Sequence, residues 1–218
     1  MLVKRPDAAT FGFAQSPISG CRFREFMTAS LPLAALAPVP PAPVLRLVAQ
    51  QEGLLQIHTA PFRGSFGAVL SQALRTAGLG SRVLVSQLLK GGVDQGLESS
   101  LWLCGRLQWL RPGVPYCISE PAASQSEELA AQSLAAQSLA AVQQVWAYSR
   151  EQLLSGAVDL LVLDELGLAV ELGYLDKAEV LATLERRPVH LDVIVTGPAM
   201  APELMAMADQ VTKLRRGL

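Results

Sequence analysis

The stretch Leu54-Leu-Gln-Ile-His-Thr-Ala-Pro-Phe-Arg-Gly-Ser-Phe-Gly-Ala-Val-Leu, residues 54–70, passes from an apolar run of strand character, through a loop holding proline and glycine, into a helical pattern. Val69, Leu70, Ala73, Leu74 and Ala77 recur at helical spacing on one face, and Gly78 is expected to stop the helix at C′. A strand feeding a helix through a short loop is the opening of a βαβ unit. The downstream residues decide whether the unit repeats.

Repetition is plain in them. Runs rich in Val, Ile and Leu alternate with segments of helical period, as in a parallel sheet covered on both faces. Strands are expected near Leu54 to His58, Arg82 to Leu88, Pro115 to Ser119, Asp159 to Asp164, His190 to Thr196 and Gln210 to Leu214. One Ala-rich helix should reach roughly from Ser126 to Leu154, with Ala-Gln-Ser-Leu-Ala repeated in tandem at 131–135 and 136–140. Further helices are expected after Asp176, which can cap with Glu179 three residues on, and from Pro202; Pro188 closes the former. The expected fold is α/β: three layers, a mostly parallel sheet of about six strands, and helices on both faces.

The sequence has 218 residues, enough for one sizeable α/β domain, which we place at 46–218. Residues 1–45 read as a flexible lead-in ending in the Pro/Ala segment Ala37 to Pro43, and Met27 is a second possible start. Eighteen basic against nineteen acidic residues leave a net charge of -1, so neither a nucleic acid nor an anionic membrane is an expected partner. The richest apolar segment, Leu31 to Val44, is broken by five prolines and cannot form the span of about 20 residues that crosses a bilayer. Cys21, Cys104 and Cys117 have no metal-binding spacing and are odd in number, pointing to the cytoplasm.

Chemistry-bearing residues gather at expected strand ends, where open sheets bind ligands. A phosphate-cradling P-loop reads G-x-x-x-x-G-K-[ST]; the 59–67 loop has Ser65 and Phe66 where the lysine and hydroxyl would stand. The strand ending Leu163-Asp-Glu places Asp164 and Glu165 where carboxylates can hold Mg²⁺ or its waters, or where Asp164 simply caps the next turn. Lys90-Gly-Gly ends another strand and can bring an ammonium and backbone N–H groups to an anion, or be a solvated turn. His58 and His190 read as packed strand residues. Trp102, Trp109 and Trp146 read as core anchors, the first two also as walls for a flat ligand.

In order, these pieces resemble the corrinoid adenosyltransferases of P-loop fold. The carrying residues are His58-Thr59 before Gly64, Gln87-x-x-Lys90-Gly91, Val162-Leu-Asp-Glu-Leu166 and Gly173-Tyr174-Leu175 with Glu179-Val180-Leu181. Arg187-Pro188-x-His190-Leu191-x-Val193-x-x-Thr196-Gly197 and Pro202-Glu203-Leu204 with Ala208-Asp209-x-Val211-Thr212 complete the set. The resemblance implies a P-loop NTPase-like domain, a usual homodimer, and Mg-ATP and a corrinoid as substrates. A Co(I) corrinoid would attack the 5′ carbon of ATP and expel triphosphate, so no side-chain nucleophile is needed. Thr59, Arg63, Gly64, Ser65, Gly67 and Lys90 would face the nucleotide, and Asp164 and Glu165 the metal; no catalytic residue is assigned.

The resemblance breaks in the phosphate loop. The family reads H-T-G-N-G-K-G-K-T-T, whereas Ala60, Pro61, Phe62, Arg63, Gly64, Ser65, Phe66 and Gly67 follow His58-Thr59. Losing one charge-assisted bond to phosphate costs roughly 1.5–3 kcal/mol. Arg63 occupies the slot of the first loop lysine, not the second. Gly167 follows the acidic pair where asparagine is usual, and Pro198 follows Thr196-Gly197 in place of arginine. The expectation is weak or lost ATP chemistry in a binding or regulatory module, with an active ATP:corrinoid adenosyltransferase as the alternative.

Overall fold

Strands β1 (Leu55–Thr59), β2 (Val83–Gln87), β5 (Leu160–Asp164), β6 (Asp192–Gly197) and β7 (Gln210–Lys213) form the parallel body of one sheet. The computed structural model describes residues 52–64, 66–118 and 128–215; the lead-in expected over 1–45 lies outside them. A hairpin of β3 (Leu101–Leu103) and β4 (Leu107–Leu110) extends one edge, β4 parallel to β2 and β3 antiparallel to β4. The order is β3-β4-β2-β5-β6-β1-β7, seven strands against an expected six or so.

Alternation along each strand divides the core into two. Leu55, Ile57, Leu84, Leu161, Leu163, Val193 and Val195 face one cluster. Val83, Val85, Leu160, Val162 and Ile194 face the other. The first is covered by α2 (Glu128–Ser155), α3 (Leu166–Glu171), α4 (Lys177–Glu185) and α5 (Pro202–Met207), the second by α1 (Gly67–Gly78). This is the three-layer, P-loop NTPase-like architecture, with its helices unequally shared. β2 and β5 are buried at every position, which is why they read as unbroken apolar runs.

Helix signals hold where a side chain does the work. Asp176 caps α4, accepting from the Glu179 amide at 2.8 Å, and Pro202 opens α5. In α1, Val69, Ala73 and Ala77 are buried, but Leu74 is 43% exposed. Gly78 is still helical; the left-handed residue that ends the turn is Gly80, at φ 107°.

The strand expected at Pro115 to Ser119 is not one. Residues 115–118 are irregular, and Ser119 lies outside the described residues. Pro112 and Pro115 cannot donate to a ladder. The segment is instead tied across the sheet's carboxyl end, with the Ile118 amide on the Leu89 carbonyl and the Gly92 amide on that of Val114, each at 2.9 Å. Gly91 lies so close to the Tyr116 carbonyl that a Cβ there would collide with it. The missed hairpin is too short to show period, and it turns through positive φ at Cys104 and Gly105.

The two-sided core makes a quantitative prediction. Leu161→Ala should lower unfolding free energy by roughly 2–5 kcal/mol. Leu134→Ala, on an exposed face of α2, should stay within about 0.5 kcal/mol. Urea unfolding followed by circular dichroism reads both, and equal losses would refute the assigned faces.

Candidate functional site

Parallel register builds the centre of the site. Gln87 and Asp164, the last residues of β2 and β5, and Thr196, the last but one of β6, are successive in-register neighbours. Asp164, almost fully buried, accepts from Gln87 Nε2 at 2.8 Å and from Thr196 Oγ1 at 2.6 Å. Lys90, one turn beyond β2, adds its ammonium at 2.7 Å from Asp164 Oδ2, and reaches the Gly64 carbonyl at 3.4 Å.

Glu165 is completely buried and held in the left-handed region at φ 63°, its amide donating to the Thr196 carbonyl at 2.8 Å. That conformation turns its carboxylate toward the 59–67 loop. Arg63 meets it bidentately, Nε to Oε1 at 2.7 Å and Nη2 to Oε2 at 2.9 Å, and Nη2 also donates to the Leu89 carbonyl at 3.2 Å. The hydrogen bond to Glu165 raises the Arg63 pKa further above its ordinary value, against the opposing effect of burial. All four carboxylate oxygens of the acidic pair thus accept from named donors.

Gly197, at φ 123°, lets the β6 end pass this turn, since a Cβ there would stand 2.9 Å from Glu165 Cα. Gly167 is likewise forced, because a Cβ would come within 2.7 Å of the Ala199 carbonyl oxygen.

The far end of Gln87 carries a contact set that sequence reasoning missed. Its Oε1 accepts from Trp109 Nε1 at 2.9 Å and from Arg111 Nε at 2.8 Å, and the Arg111 guanidinium lies 5.8 Å from the Trp109 ring centroid. Arg111 follows β4, a four-residue strand too short to leave a periodic signal in the sequence. Arg63, Gly64, Leu70, Gln87, Lys90, Gly91, Trp109, Arg111, Cys117 and Glu165 line a cleft of about 620 Å³.

Not every residue expected at the nucleotide joins this cleft. Thr59 lines a separate, apolar one of about 440 Å³ with Met200, Met205 and Leu214. Gly67 is the first residue of α1, whose N-cap, Phe66, supplies no side-chain bond; Ser65 lies outside the described residues. His190 is exposed in a turn before β6 and is not a packed strand residue. Trp146 is buried as expected, Trp102 is 57% exposed, and Trp109 is half-buried against the core cluster under α1. Cys104 and Cys117 are free thiols. Among the described residues no group of three or more His, Cys, Asp or Glu is placed to hold a metal, and no helix is long and apolar enough to cross a membrane.

The family model for ATP:corrinoid adenosyltransferases of the BtuR/CobO/CobP type matches residues 51–217. The corrinoid adenosyltransferase CobA of Salmonella typhimurium is 31% identical over 168 residues, covering 76% of this chain and 78% of that protein. The corrinoid adenosyltransferase of Escherichia coli K12 is 29% identical with the same coverage. That of Pseudomonas aeruginosa is 27% identical over 75% of each.

Two outcomes are expected from this geometry. Arg63→Ala strands a buried carboxylate and should cost roughly 2–4 kcal/mol, less than a fully buried pair because Arg63 reaches solvent. Arg63→Met combined with Glu165→Leu should recover most of it in urea unfolding, and no recovery would mean the pair is not the source. Burial lowers the His58 pKa, and its Nε2 has no hydrogen-bond partner. The unfolded chain therefore takes up this proton first as pH falls. The stability His58 contributes is complete above about pH 6.5 and is lost on acidification through the lower folded value. His58→Gln should flatten that part of a stability-versus-pH curve.

Proposed function

The chain belongs to the ATP:corrinoid adenosyltransferase family, and within it we propose that this member is a binding or regulatory module whose ATP chemistry is weak or lost. The observation that carries the reading is the double pairing of Arg63 with Glu165 and Lys90 with Asp164. A triphosphate must draw both cations away from carboxylates that are almost out of water, and each carboxylate so exposed is costly. Mg²⁺ does not fit the acidic pair as arranged, because every oxygen already faces an ammonium, guanidinium, amide or hydroxyl donor. The degenerate loop adds to this: Pro61 lacks an N–H, Phe62 adds bulk, and no lysine or hydroxyl stands at 65–66 in P-loop order.

The second reading is an active ATP:corrinoid adenosyltransferase, in cobalamin biosynthesis or salvage, moving the 5′-deoxyadenosyl group of ATP to a Co(I) corrinoid. The cobalt–carbon bond forms as the C5′–O bond to triphosphate breaks. The roomy cleft with Lys90 and Arg111 on its wall favours it, since a phosphate grip can be rebuilt from new cations. Under either reading we place the protein in the cytoplasm and expect a homodimer.

Calorimetric titration with Mg-ATP separates the two. We expect dissociation constants weaker than micromolar, and no adenosyl transfer to reduced cobalamin under anaerobic conditions. Micromolar binding with turnover would establish the second reading. Ser65→Lys with Phe66→Thr should recover part of the affinity if the loop backbone still forms an anion nest.

A further inference from the structure

We propose that the cleft beside Trp109 binds a phosphomonoester carried on a flat ring, a nucleoside monophosphate, with Arg111 as the anion-binding residue. This rests on the reading that the triphosphate grip is gone, and names what the same cleft takes instead.

Three cations line the cleft, and two of them are already matched. Arg63 and Lys90 each face a carboxylate. Among the described residues Arg111 has no carboxylate partner, and its side chain makes one hydrogen bond, from Nε to Gln87 Oε1, which leaves both terminal nitrogens for a ligand. Its position is fixed from behind. Gln87 Nε2 is committed to Asp164, so Oε1 must face outward, where it holds Arg111 and the Trp109 indole together. A guanidinium fixed in this way has lost its freedom before the ligand arrives.

Charge, size and shape then select the occupant. Three cations against two carboxylates leave one positive charge in excess, which suits a phosphomonoester of roughly -1.5 to -2 better than a triphosphate. Phosphate oxygens can serve both terminal nitrogens of the Arg111 fork and still accept from further donors, whereas a carboxylate offers only two acceptor atoms. The half-buried Trp109 ring beside Leu70 provides an aromatic wall against which a base can stack. A volume of about 620 Å³ is within the range of small-ligand sites.

The test is calorimetry on the full chain, without Mg²⁺, with the four common ribonucleoside 5′-monophosphates, adenosine and ribose 5-phosphate. At least one monophosphate should bind about tenfold or more tightly than either fragment, the worth of one charge-assisted bond. Arg111→Gln should weaken it about tenfold and leave adenosine unchanged, while Trp109→Leu should erase the advantage over ribose 5-phosphate. Circular dichroism checks folding; if the glutamine variant unfolds, Arg111→Lys, which keeps charge and loses the fork, reads the same loss. No monophosphate binding, or binding indifferent to Arg111, overturns the proposal. Micromolar Mg-ATP binding with adenosyl transfer, both surviving Arg111→Gln, would instead overturn the functional reading on which it rests.

Discussion

Asp164 and Glu165 are adjacent carboxylates at the end of a fully buried strand, their side chains 5% and 0% exposed. Left alone, two such charges side by side out of water would protonate or unfold the edge of the sheet. They persist because Lys90 and Arg63 arrive from two different loops, and because Gln87 and Thr196 donate from the neighbouring strands. The positions of the 59–67 loop, the turn after β2 and the end of β6 all follow from satisfying this pair.

Register makes the arrangement possible. In a parallel sheet, strand ends that pair in step bring their last side chains into one row, so Gln87, Asp164 and Thr196 meet without any long-range adjustment. Backbone conformation does the rest. The left-handed turn at Glu165 and the glycine at 197 allow two chain segments to pass where a further side-chain carbon would collide. Gly167 belongs to the same close passage, because a Cβ there would collide with the Ala199 carbonyl.

Much of the fold was legible because burial on both faces leaves a plain mark. The runs that became β2, β5 and β6 are Val/Leu/Ile-rich and almost wholly buried, and Asp176 and Pro202 mark helix starts by local chemistry. The β3–β4 hairpin left no such mark, having three and four residues and partly exposed faces. The segment after Pro112 misled because an apolar run of Val, Tyr and Ile looks like a strand until one asks where its hydrogen bonds go. Arg63, Lys90, Asp164 and Glu165 were each singled out as ligand contacts. That they would contact one another was not visible, since 74 residues separate Lys90 from Asp164 and 102 separate Arg63 from Glu165.

By itself the sequence determined the α/β class, the loop after the first strand and the residue types stationed at the strand ends, because hydrophobic period and turn chemistry are local properties of the chain. Only the tertiary structure decided how those charges are spent. Whether a lysine faces solvent, a ligand or a buried aspartate depends on which strands lie side by side, and that is fixed by packing across the whole sheet. The free fork of Arg111 is the clearest case: it has meaning only once β4 is laid against β2.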